Sequence, residues 1–242
     1  VVDVELVLAV DVSYSMSMAE QSIQRDGYAA ALTNPQVLNA IRDGLHQQIA
    51  VTFVEWAGGG SQNIVVPWTL IASSADAEAV AAMIRQTGAS RMRRTSISGA
   101  IGFGSGLFDG NGFRGMKRVI DVSGDGPNND GTPVVEARDA AVNAGIIING
   151  LPLMTSGGPG SGYNISDLDE YYINCVIGGP GAFSLPVVDW QEFPAAVRRK
   201  LVLELADAAP ERPGLIRIAT QQPYDCMIGE KLRALRERYE DR

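Results

Sequence analysis

Val2-Asp-Val-Glu-Leu-Val-Leu-Ala-Val-Asp11-Val-Ser13-Tyr-Ser15 lies at the start of the chain, and the fold class turns on it. The run Val2–Val10 is almost continuously apolar, rich in β-branched residues and short, which predicts a strand buried on both faces. Asp11 ends it. Outward from there, helix-like and strand-like segments alternate. Met18–Leu32 has helical spacing, and Pro35 opens a second helix running to Asp43. Ile49–Trp56 and Ile64–Ile71 read as strands joined by the hairpin loop GGGSQ. Cap-type serines start a helix over SSADAEAVAAMIRQ, and another is predicted over Ile97–Phe108. A strand at Arg118–Val122, a helix at Val134–Ala144 and a strand at Ile146–Leu151 follow. Past a glycine-rich loop at Gly157–Gly162, DLDEYYINCVI looks helical, FSLPVV reads as a last strand, and Trp190–Ala208 as a helix. The tail KLRALRERYEDR has the pattern of a short amphipathic helix.

This order predicts an α/β fold: a mainly parallel six-stranded sheet with one antiparallel edge strand and helices on both faces. In such open sheets ligands sit at the carboxyl ends of the strands, where strand order reverses. Length and pattern divide the chain into a main domain over 1–208 and a C-terminal extension over 209–242.

Composition narrows the function. With 45% hydrophobic and 20% charged residues among 242, the chain can build a sizeable core. A net charge of −8 argues against nucleic acid and anionic lipid as partners. No run approaches the ~18 apolar residues of a membrane-spanning helix. One histidine, His46, and two cysteines, Cys175 and Cys226, leave no material for a clustered His/Cys zinc site. An apolar run beginning at Val1 without an initiator Met suggests a mature product whose signal peptide has been removed.

Three oxygen-rich spots fall on the predicted rim: Asp11-x-Ser13-x-Ser15 after the first strand, Thr95 before a helix, and Asp125-Gly126 after the strand at Arg118–Val122. Two carboxylates and three hydroxyls are hard oxygen ligands, suited to Mg2+, Ca2+ or Mn2+. So few carboxylates favour Mg2+ and leave the ion residual positive charge. Taken singly, each spot has a plainer reading: a helix cap for the serines and for Thr95, a turn for Asp125-Gly126.

Together, these residues resemble the metal-ion-dependent adhesion site (MIDAS) of the von Willebrand factor type A domain, in order, intervals and secondary structure over about residues 2–208. The resemblance implies a Rossmann-like type A fold and a non-enzymatic protein-binding module for adhesion or assembly. It implies that Ser13 and Ser15 hold the ion directly, Thr95 in some states, and Asp11 and Asp125 partly through water. An acidic side chain of a protein partner would complete the shell. DVSYSM, SGDGPNNDG and the C-terminal cysteine look most similar to secreted bacterial type A-like proteins, so the resemblance implies secretion or a periplasmic location, and a place as a subunit of an envelope assembly. Tyr14 stands where that family commonly has glycine, which alters access to the ion without removing a ligand.

Other motifs fail on context. Gly110-Asn-Gly112-Phe-Arg-Gly115 matches a dinucleotide fingerprint but precedes a strand instead of following one. Asp121-x-Ser-x-Asp125-Gly126 begins like a calcium loop, yet Thr132 occupies the place of the bidentate Glu. Arg91, Arg93 and Arg94 beside Thr95 read as a solvated basic loop or as a lure for an acidic partner. The rival from another class is a haloacid-dehalogenase-like, Mg-dependent phosphotransferase using Asp11, with Asp125 and Asp130 in its metal loop. Such enzymes need an acid two residues after the nucleophile, where this chain has Ser13, which exchanges no proton at neutral pH. A third reading is a scaffold subunit whose metal site stays empty.

The family resemblance and the missing initiator Met point to an oxidising compartment, and with it to a Cys175–Cys226 disulfide. The alternative is two separate buried thiols. A bridge would pin a weakly apolar tail near Cys175, far along the chain from Asp11, and so is expected to serve stability and not the metal.

Overall fold

The computed structural model describes residues 1–88, 92–155, 165–205 and 224–240. Five strands and eight helices follow one another as β1 (Val2–Asp11), α1 (Met18–Leu32), α2 (Pro35–Arg42), β2 (Ile49–Trp56), β3 (Gln62–Ile71), α3 (Ser74–Gln86), α4 (Ile97–Gly106), β4 (Gly115–Gly124), α5 (Val134–Asn143), β5 (Ile146–Pro152), α6 (Leu168–Tyr171), α7 (Phe193–Leu205) and α8 (Ile228–Glu240). A π-helical turn, Tyr172–Val176, continues α6. The glycine-rich loop, Arg91 and the far end of the predicted Trp190–Ala208 helix lie outside the described residues.

The sheet order is β3-β2-β1-β4-β5. β1 pairs in parallel with both β2 and β4, β4 with β5 likewise, and only β2–β3 is antiparallel, as the hairpin predicted. Pro67 lies in β3, an edge strand, the place where a missing N–H is tolerated. β1 alternates strictly: Leu6, Leu8 and Val10 join a core with Tyr28, Leu32, Phe193 and Leu201 on the α1/α7 face. Val7 and Ala9 join the opposite core with Ile97, Ile101 and Tyr172. By the same period of two, Asp11 belongs to the second face.

The sheet differs from the six strands expected. The segment FSLPVV does run beside β5: Gly150 N–H donates to Phe183 C=O (3.0 Å), Leu185 N–H to Gly150 C=O (3.0 Å), and Val187 N–H to Pro152 C=O (2.9 Å). The rung that an N–H at residue 152 would supply is missing because proline has none. What remains are isolated parallel bridges at Ser184 and Val187. β4 also starts earlier than predicted, at Gly115, because its first residues are part-exposed and carry no apolar pattern.

Beneath the sheet, on the α7 side, Lys200 is fully buried against Asp121 of β4 (2.5 Å) and Glu204, one turn along α7. Asn149 Nδ2 donates to Glu204 (3.0 Å), and the ammonium sits 5.4 Å from the centre of the Phe183 ring. The Cys175–Cys226 disulfide is present, its Cα atoms 5.5 Å apart. Among the described residues no helix is long and apolar enough to cross a membrane.

Candidate functional site

β1 and β4 lie side by side with β2 and β5 wound outward in opposite directions, so the switch point is the gap between the carboxyl ends of β1 and β4. Val10 pairs with Ser123, which sets Asp11 beside Gly124 and Asp125. The loop after β1 is held by α1, whose N-cap Ser17 and Glu20 form a capping box. Asp11 Oδ1 accepts the Ser13 N–H (2.7 Å). The hydroxyls of Ser13 and Ser15 share a hydrogen bond (2.9 Å), and the Ser15 hydroxyl donates to Asp125 Oδ1 (2.7 Å). An unbroken polar chain thus joins residues 110 positions apart.

Asp11 Oδ2 is buried and has no partner, and neither has the hydroxyl of Tyr172. Gly124 makes this possible: a Cβ there would stand 3.0 Å from the Tyr172 hydroxyl and 3.1 Å from Asp11 Oδ2. Thr95 is buried in the neighbouring loop. Its N–H donates to Asn129 Oδ1 (2.9 Å) and its carbonyl accepts the Asn129 N–H (2.8 Å), tying it to the loop of Asp125. A backbone bridge between Ser13 and Met92 ties the same loop to the first. The cap role that Thr95 had as its plainer reading falls to Ser96, whose hydroxyl accepts the Gly99 N–H (3.1 Å).

Both carboxylates feel their confinement. Burial, and then the charge of Asp125, push Asp11 well above the usual carboxylate range, against the opposing hydrogen bonds from Ser13. Burial pushes Asp125 up to about 6 despite the Ser15 hydroxyl, with the charge of Glu20 adding to the rise. Among the described residues no basic side chain offsets either shift; the charge acting on Asp11 is that of Asp125, and the charge acting on Asp125 is that of Glu20. Among the described residues no trio of His, Cys, Asp and Glu comes together. A cation held here would therefore take much of its shell from hydroxyls. The orphaned, buried Asp11 oxygen and the converging serines fit a small hard cation.

Asp130, which the phosphotransferase reading needs at the metal, is committed elsewhere. It accepts the Gly59 N–H (2.9 Å) and pairs with Arg94 (3.0 Å) and Arg233 (2.9 Å). Burial raises its pKa, but the Gly59 hydrogen bond and the two guanidinium groups outweigh that and hold it below the ordinary range. Tyr14 stands half exposed at the rim.

A model of the family described as "Protein of unknown function (DUF1194)" matches residues 1–209. The chain belongs to this family. The solved structures that resemble this chain include a von Willebrand factor type A protein, and the chain shares that fold. The pilus adhesin SpaC from Lactobacillus rhamnosus GG shares 14% identity at a TM-score of 0.59, over 85% of this chain and 31% of that one. Proximal thread matrix protein 1 from the mussel byssus, in a form with a zinc-occupied MIDAS motif, shares 13% at 0.57, over 84% and 48%. A von Willebrand factor type A protein from Catenulispora acidiphila shares 14% at 0.55, over 84% and 43%. This chain thus spans a third to a half of those proteins, and at such identities the likeness is one of fold. No curated protein matches it by sequence.

Several residues of this DUF1194 site escaped the sequence reading. Glu20 was read only as part of the Met18–Leu32 helix, and Asn128 and Asn129 only as loop residues. Tyr172 sat inside a helical pattern, and nothing local marked it. The tail departs furthest from expectation. Pinned at Cys175 as expected, it also reaches the Asp125 loop, where Glu230 accepts from Asn128 Nδ2 (2.7 Å) and Arg233 bonds Asp130.

Proposed function

We propose that this DUF1194 protein is a non-enzymatic, divalent-cation-dependent protein-binding module for adhesion or assembly, secreted or periplasmic. Asp11, Ser13, Ser15, Thr95 and Asp125 hold the ion, Mg2+ before Ca2+ or Mn2+. Residues 1–208 form the type A-like domain and 209–242 an extension. The observation that carries this reading is the hydrogen-bonded chain Asp11–Ser13–Ser15–Asp125, closed around a buried carboxylate oxygen without a partner. Two dry carboxylates with no basic neighbour among the described residues are unfavourable unless a cation joins them. The bound ion would supply a positive charge with an open coordination position. The chain's own residues aim the hydroxyls, keep water from Asp11 and leave Tyr14 at the entrance. An acidic side chain of a partner protein fills the open position. The zinc-occupied MIDAS of the byssus protein and the adhesin fold of SpaC support the comparison. The disulfide supports an oxidising compartment.

The phosphotransferase alternative is weaker on two counts: Ser13 stands where an acid is needed, and Asp130 is engaged by Arg94 and Arg233. Calorimetric titration with Mg2+ tests the reading, with Asp11→Ala and Asp125→Ala expected to lose binding while the far-ultraviolet spectrum is retained. Unchanged affinity in both variants would end it. Partner capture should vanish in chelator, and a chelator-insensitive interface would lie elsewhere. Hydrolysis of a generic phosphate ester that is lost in Asp11→Asn would restore the enzyme reading.

A further inference from the structure

Two segments distant in sequence converge on the loop that carries Asp125, and the Cys175–Cys226 disulfide joins them. From the first, α6 and its π-helical turn, the Tyr171 hydroxyl accepts the Asn128 N–H (3.2 Å), and Tyr172 packs beneath Gly124. From the second, α8, Glu230 accepts from the Asn128 side chain (2.7 Å). Arg233 donates to the Asn129 carbonyl (3.0 Å) and to Asp130 (2.9 Å). Gly229 is the pivot: a Cβ there would lie 2.0 Å from the Asn128 carbonyl oxygen, so only glycine lets the helix approach so closely. Between the segments Tyr171 and Tyr224 meet edge to face at 6.1 Å, and the Tyr224 hydroxyl donates to Asp167 (2.9 Å).

The contact does not stop at the Asp125 loop. Asn128 Oδ1 accepts the Ser98 N–H (2.9 Å) and Asn129 Oδ1 the Thr95 N–H (2.9 Å), so the two asparagines pass it on to the Thr95 loop. Asn128 is wholly buried, which makes each of these bonds costly to leave unmade. Among the described residues of α8 only Gly229 is buried, and even Leu235 and Tyr239 stand exposed among its charged residues. So polar a helix docks weakly by area alone. A covalent tether two residues before its first turn supplies the effective concentration that its own burial does not.

We propose that α8 is a tethered strap for the candidate metal site, with Glu230 and Arg233 as positioning residues that hold the Asp125 and Thr95 loops in register. The metal aspect rests on the site reading given above; the clamp on the loops does not. In the strapped state Asp125 and Thr95 are presented to the ion already ordered. Without the strap, the loop order has to be generated on binding.

The test uses the full chain in five forms: wild type, Cys175→Ser/Cys226→Ser, Arg233→Met, Glu230→Gln, and Lys231→Met as control. Lys231 pairs with Asp225 inside the tail and does not reach the loop. Hydrogen exchange is measured without metal over residues 93–99 and 125–132 and over β1, followed by calorimetric titration with Mg2+. The expected result is faster exchange in both loops, unchanged exchange in β1, and Mg2+ affinity lower by about tenfold, the usual scale for removing an outer-shell support. The control should behave as wild type. Unchanged loop exchange in Arg233→Met and Glu230→Gln overturns the strap, even where the cysteine variant fails to fold. Faster exchange with unchanged Mg2+ affinity overturns its role at the site. A wild type that binds no Mg2+ overturns the site reading instead, and the exchange data then decide the strap alone.

Discussion

Asp121 with Glu204, and Asp11 with Asp125, are two pairs of carboxylates buried within the same fold and provided for in opposite ways. Beneath the sheet, the chain brings its own cation: Lys200, fully buried, bonds both partners. Burial and the charge of Glu204 push Asp121 up, Lys200 pulls it down, and it comes to rest at about 7. At the rim the chain brings hydroxyls. Ser13 and Ser15 hydrogen-bond the carboxylates without neutralising them, and the charges of Asp11, Asp125 and Glu20 accumulate. A pair with an internal counter-ion is structural and closed. The rim pair, given hydroxyl and backbone donors but no cation among the described residues, fits the external cation of the proposed function.

The largest effect should come from the closed pair. Lys200→Met leaves two carboxylates buried without their cation and is expected to cost about 3–5 kcal/mol in urea unfolding. A loss below about 1 kcal/mol would show that Asp121 and Glu204 had been protonated all along, and the contrast would collapse.

The open pair should respond next, to metal. At Mg2+ about 100-fold above its dissociation constant the wild type is expected to gain about 2.7 kcal/mol, and Asp11→Ala or Asp125→Ala nothing. Lys200→Met, if folded, should gain as much as wild type. Equal gains in the Asp variants would move the ion away from this rim.

That gain depends on pH with a defined sign. Burial holds Asp125 at about 6 and Asp11 well above its usual range, so between the ordinary carboxylate range and those values both carry protons that the unfolded chain has lost. Their raised values favour the metal-free fold on the acid side, and that advantage disappears as pH rises through about 6. Mg2+ would bind the deprotonated pair, so its increment should be small near pH 5 and larger near pH 7.5. Melting temperatures with and without Mg2+ at the two values measure it. A pH-independent increment would mean that these carboxylates are not the ligands.

The smallest effect separates the pairs without any metal. In chelator at pH 7, Asp125→Asn sheds charge while keeping an acceptor for Ser15, and should gain about 1 kcal/mol. Asp121→Asn takes a partner from Lys200 and should lose stability. Equal signs would mean that the two sites are not opposites after all.

Much of this was legible locally. The apolar run of β1, the Pro35 start of α2 and the cap-type serine that opens α3 each depend on residues within a few positions of one another. The three oxygen-rich spots could be named because D-x-S-x-S is also a local pattern. The missing rung at Pro152 was there to be read as well, but only once β5 and FSLPVV are known to be neighbours. The near-strand beside β5 escaped because proline punishes a strand only in the register where its N–H is called for.

The element order apart from the sixth strand, the one antiparallel hairpin and the candidate oxygen ligands could be read from the chain alone, because helix periods, turn residues and caps act between near neighbours. Tertiary structure alone decided that Ser15 meets Asp125, that Lys200 lies between Asp121 and Glu204, and that the tail returns to Asn128 and Asp130. Such contacts close loops of up to about a hundred residues, and loop closure costs nearly the same for many endpoints. Which endpoints meet is then settled by how the whole core packs and where the disulfide ties it, and no single segment carries that information.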